Sequence, residues 1–178
     1  MSQIQQQENP QRNIFKCVLV GDGGVGKTSF ASRVDTGRFT GKYIATLGVD
    51  VSTPHFVQYY NQKPVDVTLN MWDTAGQEKF SGMGNGYYIQ ADCAFVFFDL
   101  TSRITFKNVP KWIRDISEYT NRIVLIGNKS DIVDGRKISY EDVLQFTSGK
   151  IPYFEISCKN YQGIDRAIQA ILDMLFYK

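Results

Sequence analysis

Eight consecutive residues, Gly21-Asp22-Gly23-Gly24-Val25-Gly26-Lys27-Thr28, constrain this chain more than any other stretch. Four of them are glycines, which weaken a helix or a strand through the backbone entropy they lose on ordering. They stand between a β-branched run, Ile14–Val20, and a helical pattern, Lys27–Asp35. A strand, a GxxxxGK(S/T) turn and a helix in that order make a cradle for phosphate. Glycines let successive N–H groups point inward at one anion, where a Cβ would collide. The helix that follows turns its positive end toward the same anion. Lys27 brings a compact charge to the β- and γ-phosphates, and Thr28 offers a hydroxyl to Mg²⁺. Asp22, Gly23, Gly24, Val25, Gly26, Lys27, Thr28 and Ser29 are therefore the expected phosphate-binding segment, with Lys27 also catalytic. A glycine-rich surface turn would share the composition but not the strand-loop-helix setting.

Short apolar runs alternate with helical patterns through the rest of the chain. Val49–Tyr60 and Val65–Trp72 read as strands joined by a hairpin turn at Asn61-Gln62-Lys63-Pro64. Cys93–Leu100, Ile123–Gly127 and Tyr153–Ser157 read as further strands, and Val109–Tyr119, Tyr140–Ser148 and Gly163–Phe176 as helices. Strands without strict alternation, separated by helices, imply a largely parallel sheet covered on both faces, with the hairpin at one edge. The 178 residues suit one domain. Residues 1–13, rich in Gln and poor in apolar groups, are expected to be a flexible arm, and 14–178 the domain.

Several function classes are disfavoured. A net charge of +2 is too small to point to direct nucleic-acid binding. The longest apolar run, Cys93–Phe98, falls far short of the roughly 20 residues that span a bilayer. Cys17, Cys93 and Cys158 lack metal or redox spacing and read as reduced structural thiols. The one histidine, His55, is expected to be an ordinary strand or loop residue.

Three further segments carry chemistry. Asp73-Thr74-Ala75-Gly76-Gln77-Glu78 follows a strand, which places Asp73 where it can hold Mg²⁺ or its water. Gly76 can turn its N–H to a γ-phosphate, and Gln77 can orient the attacking water, which makes it the second expected catalytic residue. Asn128-Lys129-Ser130-Asp131 ends another strand. The Asp131 carboxylate can accept from both N1–H and the exocyclic amine of guanine, a donor pair that adenine lacks. Ser157-Cys158-Lys159 would supply a backbone N–H to the guanine O6. Between the first two motifs, Phe39–Gly48 is polar and turn-rich. There Thr46 is the candidate to give its hydroxyl to Mg²⁺ and its N–H to the γ-phosphate. Phe39 and Tyr43 are expected beside the nucleotide, though a core-packing role for Phe39 is nearly as well supported. The expected metal ligands are Thr28, Thr46 and Asp73; the ligands are Mg²⁺ and GTP or GDP.

Together these residues resemble the small GTPases of the Ras superfamily, from Ile14 to the end. The likeness is strongest to the Ran branch of nuclear-transport GTPases. It rests on Lys42-Tyr43-Ile44-Ala45-Thr46-Leu47-Gly48-Val49, on WDTAGQEKFSGMGNGYYIQ from Trp72 to Gln90, on Thr101-Ser102-Arg103, and on Lys107-Asn108-Val109-Pro110-Lys111-Trp112. The resemblance implies an α/β P-loop NTPase fold in three layers: a six-stranded, mostly parallel sheet with one antiparallel edge strand and about five helices. It places switch I around Thr46 and switch II around Gly76–Tyr88. It implies slow GTP hydrolysis, an activating protein, an exchange factor and transport receptors meeting the switch regions, a monomer, and residence in nucleus and cytoplasm. Two departures stand out. The Ran branch continues into a long C-terminal segment with an acidic end, whereas this sequence stops at Tyr177-Lys178. Cys158 stands where alanine is usual. No C-terminal cysteine box or N-terminal Met-Gly is present, so no lipid anchor is expected.

The segment before Thr46, Lys42-Tyr43-Ile44-Ala45, has no arginine that could act in cis, which is the reason to expect slow unaided turnover. Phe80, Tyr87 and Tyr88 could form a partner surface or pack under their loop. Arg136, Lys137, Lys107 and Lys111 could meet acidic receptors or simply be solvated. A nucleotide-binding module without turnover, a small-molecule phosphate-loop kinase, and a Ran-like or Rab-like GTPase with another trafficking or signalling role are the competing functions.

Overall fold

The computed structural model describes residues 12–42, 44–46, 48–74 and 86–177. Its centre is β1 (Ile14–Gly21), paired in parallel with β4 (Lys63–Thr74) on one side and β5 (Cys93–Asp99) on the other. β6 (Ile123–Asn128) and β7 (Tyr153–Glu155) extend the parallel sheet beyond β5. Every residue of β5 and β6 is buried, which is why these strands read as unbroken apolar runs. On β1 the side chains divide by the period of two: Cys17 and Leu19 enter the core on one face, Val18 and Val20 on the other. The first face is covered by α1 (Lys27–Thr36) and α4 (Ile164–Phe176), through Phe30, Ile168 and Leu172. The second is covered by α2 (Arg103–Ser117) and α3 (Tyr140–Thr147), through Trp112, Ile116 and Val143. This is the expected three-layer α/β arrangement. The four α-helices and one 3-10 turn, Gly86–Tyr88, make five helical elements among the described residues.

The antiparallel edge is one strand in the sequence reading and two in the structure. β2 (Val49–Ser52) pairs with the end of β4 and β3 (His55–Tyr60) with its start. The break falls at Thr53-Pro54. Proline has no N–H for the ladder, but its carbonyl still accepts from Leu69 N–H at 3.1 Å. The sheet therefore counts seven strands where six were expected. His55 sits on β3 opposite Thr68 and shares a 3.0 Å hydrogen bond with its hydroxyl, an ordinary strand role.

The hairpin turn is tighter than expected. Asn61 and Gln62 alone form it, at φ 48° and 63°, and Lys63 and Pro64 already belong to β4. Two left-handed residues in a row give the turn the twist of its flanking strands. Gln62 bears a Cβ there at a cost that glycine avoids. Gln62→Gly is expected to stabilise the fold by about 0.5–1 kcal/mol in urea unfolding.

Helix α2 begins at Arg103, six residues before the expected Val109, and carries Pro110 inside it. Pro110 is exposed, so the carbonyl it cannot pair with lies where water can replace the lost donor. Of the expected arm, residues 1–11 lie outside the described part. Arg12 is held by a two-pronged ion pair to Asp92, at 2.6 and 2.8 Å. Tyr88 is buried against Tyr119, and Tyr87 packs against the same core face, while Phe80 is outside the described residues.

The consequence for function is directional. The parallel strands all end on one rim, at Gly21, Thr74, Asp99, Asn128 and Glu155, and the loops leaving that rim carry the motifs.

Candidate nucleotide site

The glycine segment leaves β1 at Gly21, whose φ of 142° and close approach to Phe97 exclude a side chain: an added Cβ would lie 2.5 Å from the Phe97 carbonyl oxygen. Gly24 and Gly26 follow at φ 76° and 102°. Lys27 opens α1, is 5% exposed, and folds back over the loop, its Nζ donating to the carbonyls of Gly21 at 2.7 Å and Asp22 at 2.8 Å. The Asp22 carboxylate is turned away from the loop's mouth toward α2. It accepts from Trp112 Nε1 and Asn108 Nδ2, each at 2.7 Å. Any part of Asp22 in phosphate binding is thus left to its backbone. Asn108 and Trp112 are four apart on one helix face. Sequence reading noted them only as part of a family stretch; a polar and an amphipathic side chain at that spacing was the available signal.

Asn128, the last residue of β6, likewise works as a tie. Its Nδ2 donates to the Val25 carbonyl at 2.9 Å, and its Oδ1 accepts from Cys158 N–H at 3.4 Å. One amide therefore joins the glycine loop to the segment after β7.

Three oxygen-bearing side chains meet beside Lys27. The Thr28 hydroxyl donates to Asp73 Oδ2 at 2.5 Å and lies 2.9 Å from the Thr46 hydroxyl, which is 3.5 Å from the same carboxylate oxygen. Asp73 is 2% exposed, and its Oδ1 is buried without a partner among the described residues. Burial pushes this carboxyl up from its usual range, against hydrogen bonding by Thr28 and the charge of Lys27, while Asp50 pushes it further up. A buried carboxylate with one oxygen unpaired is costly unless a cation meets it. Two hydroxyls and one carboxylate are hard oxygen donors of the sort that suits Mg²⁺, which takes few protein ligands and completes its shell with water and phosphate. Among the described residues no group of three or more His, Cys, Asp or Glu could hold a metal, so a carboxylate-rich or thiolate site has no basis there. The residues present fit Mg²⁺.

On the other side of the cleft, Lys129 stands at φ 69° and pairs with Asp99 at 2.7 Å. Asp131 Oδ1 accepts from the Ser157 hydroxyl at 2.6 Å, and that hydroxyl accepts in turn from Asn160 N–H at 3.1 Å. Ser157 is fully buried, so its contribution is to orient Asp131. Burial pushes the Cys158 thiol up to about 12, which keeps it protonated and inert. The cleft between the two sides has a volume of about 470 Å³ and is lined by the glycine loop, Lys27–Ser29, Phe39, Thr46, Asn128, Lys129, Asp131, Cys158 and Lys159. Phe39 is 37% exposed at this wall and so is not a core residue. Arg38 lines it too, although sequence reading passed over it; a cation directly before Phe39 in a turn-rich loop was the signal. Tyr43, Gly76 and Gln77 lie outside the described residues.

The loop bearing Asp131 is closed behind by Arg136. Its Nε donates to the Ile138 carbonyl at 2.7 Å, and its two terminal nitrogens grip Glu155, one at 2.8 Å to Oε2 and the other to Oε1. Tyr153 OH adds a 2.9 Å bond to Glu155 Oε1. Arg136 is therefore engaged inside the fold and is not a free surface cation. Burial raises the Glu155 carboxyl, but hydrogen bonds from Arg136 and Tyr153 outweigh it and hold the group below its usual range. A lowered carboxyl stabilises the folded chain above the unfolded value of about 4.3, and that stabilisation is lost as pH falls through the lower native value. Glu155→Gln is expected to cost about 1–2 kcal/mol at pH 7. The gap to wild type should narrow steadily in urea melts below pH ~4.

The same elements agree with a comparison of the whole chain. The model of the Ras family matches residues 16–176. That span holds the glycine loop, the Thr46 and Asp73 segments and both base-side loops, so the chain belongs to the Ras family, the GTP-binding and GTP-hydrolysing switches.

Proposed function

We propose that this switch is of the Ran kind, cycling between GTP and GDP in nucleocytoplasmic transport and moving between nucleus and cytoplasm. The observation that carries the nucleotide chemistry is the convergence of Thr28, Thr46 and Asp73 beside Lys27, with Asp73 Oδ1 buried and unpaired among the described residues. Support for the Ran branch comes from the sequence runs at 42–49, 72–90 and 107–112. In the last of these, Asn108 and Trp112 reach the glycine loop through Asp22.

Thr28, Thr46 and Asp73 would hold Mg²⁺, which when bound neutralises charge on the phosphate oxygens. Lys27 sits within its own loop as a preplaced positive charge for the γ-phosphate. Gln77 orients water for in-line attack, and Thr46 closes over the γ-phosphate in the loaded state. Loss of that phosphate removes the attachment of Thr46, so the segment relaxes and partners that read it let go. With no arginine at 42–45, an activating protein supplies the missing stabilisation, worth about 10³–10⁵ in rate where it takes the form of an added arginine finger.

Single-turnover hydrolysis tests the chemistry. Wild type should turn over GTP slowly with Mg²⁺ and negligibly without it, and Gln77→Leu should stay GTP-loaded. Normal turnover in that variant removes Gln77 from its role. For the biological role, an immobilised nuclear-import receptor should retain the GTP-loaded protein and not the GDP-loaded one. Retention that ignores the nucleotide, or none at all, would favour another trafficking or signalling role.

A further inference from the structure

Arg33 lies in the last turn of α1, outside every motif singled out in the sequence. Its guanidinium donates through Nε to the Cys158 carbonyl at 3.0 Å, through one terminal nitrogen to the Lys159 carbonyl at 2.8 Å, and through the other to the Gly37 carbonyl at 2.5 Å. Its central carbon lies 6.0 Å from the Phe39 ring centre and 5.6 Å from that of Tyr161. One side chain thus ties the end of α1 to two separate walls of the cleft: Phe39 on one side, Cys158 and Lys159 on the other. Both walls are loops, and neither Cys158 nor Lys159 belongs to a strand or helix that would hold its backbone in place.

We propose that Arg33 is a positioning residue for recognition of the guanine O6 edge. It holds the Cys158–Lys159 backbone and the Phe39 ring in fixed relation, so that the N–H groups of Cys158 and Lys159 present a preformed donor to a carbonyl at that edge. The Cys158 N–H is held only by a long 3.4 Å bond to Asn128 Oδ1, while the Ser157 N–H is taken by the Gln162 carbonyl at 3.0 Å. This rests on the reading of the cleft as a guanine-nucleotide site. The chemistry favours arginine: a planar fork can serve two adjacent carbonyls at once and lie against rings, whereas a lysine ammonium cannot match that geometry. Asp131, which would meet the N1–H and amine of the base, is oriented through the Ser157 hydroxyl, whereas Arg33 grips the carbonyls of Cys158 and Lys159, so the two contacts have different side-chain supports.

That separation makes the test specific. Affinities of the full chain are measured for three diphosphates: GDP, 6-thio-GDP, whose sulfur is a larger and weaker acceptor at the O6 position, and IDP, which lacks the amine that Asp131 would meet. In wild type both analogues are expected to bind more weakly than GDP. In Arg33→Ala, GDP affinity is expected to fall about tenfold. The penalty for sulfur at position 6 should shrink toward none, and the penalty for losing the amine should persist. Arg33→Lys, which keeps the charge and is milder for folding, should show the same selective loss at position 6. An equal fall for all three ligands would mean a general structural tie, and unchanged ratios would mean no role; either overturns the inference. Wild type that shows no preference for GDP would instead sink the site reading, a different and separately visible result.

Discussion

Gly26→Ala is expected to weaken GDP binding by about 10²-fold or more. Gly26 caps α1 at φ 102°. An added Cβ would stand 2.1 Å from Asn128 Nδ2. Side-chain ends usually yield to such a clash, but this amide is buried and bonded at both ends, to the Val25 carbonyl and to Cys158 N–H. Moving it breaks the link between the glycine loop and the 157–159 segment, the two parts that must converge on one ligand. The strain of an alanine at positive φ, about 1–2 kcal/mol, comes in addition. Gly37→Ala provides the control: it has φ 70° with no atom within 4 Å of the added Cβ, so it carries strain without collision. It should lose some stability and keep its nucleotide. Fluorescent-nucleotide titration of both variants decides the matter, and equal binding by the two would show that the Asn128 tie does not matter.

A change of ligand rather than a loss is expected for Asp131→Asn. On the proposed reading the carboxylate would meet a base edge with two donors, while the Ser157 hydroxyl donates to its Oδ1 at 2.6 Å and limits its rotation. An amide in its place can still accept from Ser157 but turns an N–H₂ toward the base. That donor opposes the guanine amine and suits the carbonyl that xanthine carries at the same carbon. Leaving a buried donor against a donor is the sort of mismatch that sites reject strongly, so GDP affinity should fall about 10²–10³-fold. Xanthosine diphosphate should become the better ligand. A variant that still prefers GDP in competition titrations would show that Asp131 does not read the base.

Both predictions turn on side chains that act by holding loops in register. Lys27 folds over the backbone of its own loop, Asn128 joins that loop to residue 158, Arg136 closes the Asp131 loop onto β7, and Asp22 fastens the glycine loop to α2. A site made of loops at one rim of a sheet needs such ties, since binding energy otherwise goes into ordering the loops themselves.

Local information in the chain was enough for much of this. Apolar runs wholly buried in a parallel sheet, the glycine turn before Lys27 and the order of the motifs follow from a residue and its near neighbours. So the strands β1, β5 and β6, the helices α3 and α4, and the cleft walls at Lys27, Thr28, Lys129 and Asp131 were legible in advance. Where local rules mislead, the outcome depended on surroundings: Pro110 is tolerated inside α2 because it faces water, and Thr53-Pro54 breaks an edge strand whose partner β4 runs on unbroken. Which group each polar side chain would meet was decided only by the tertiary structure. Asp22 lies 86 and 90 positions from Asn108 and Trp112, and Arg33 lies 125 and 126 from Cys158 and Lys159. Periodicity carries no information over such separations, because those contacts exist only once the sheet order has brought α1, α2 and the end of β7 to the same rim.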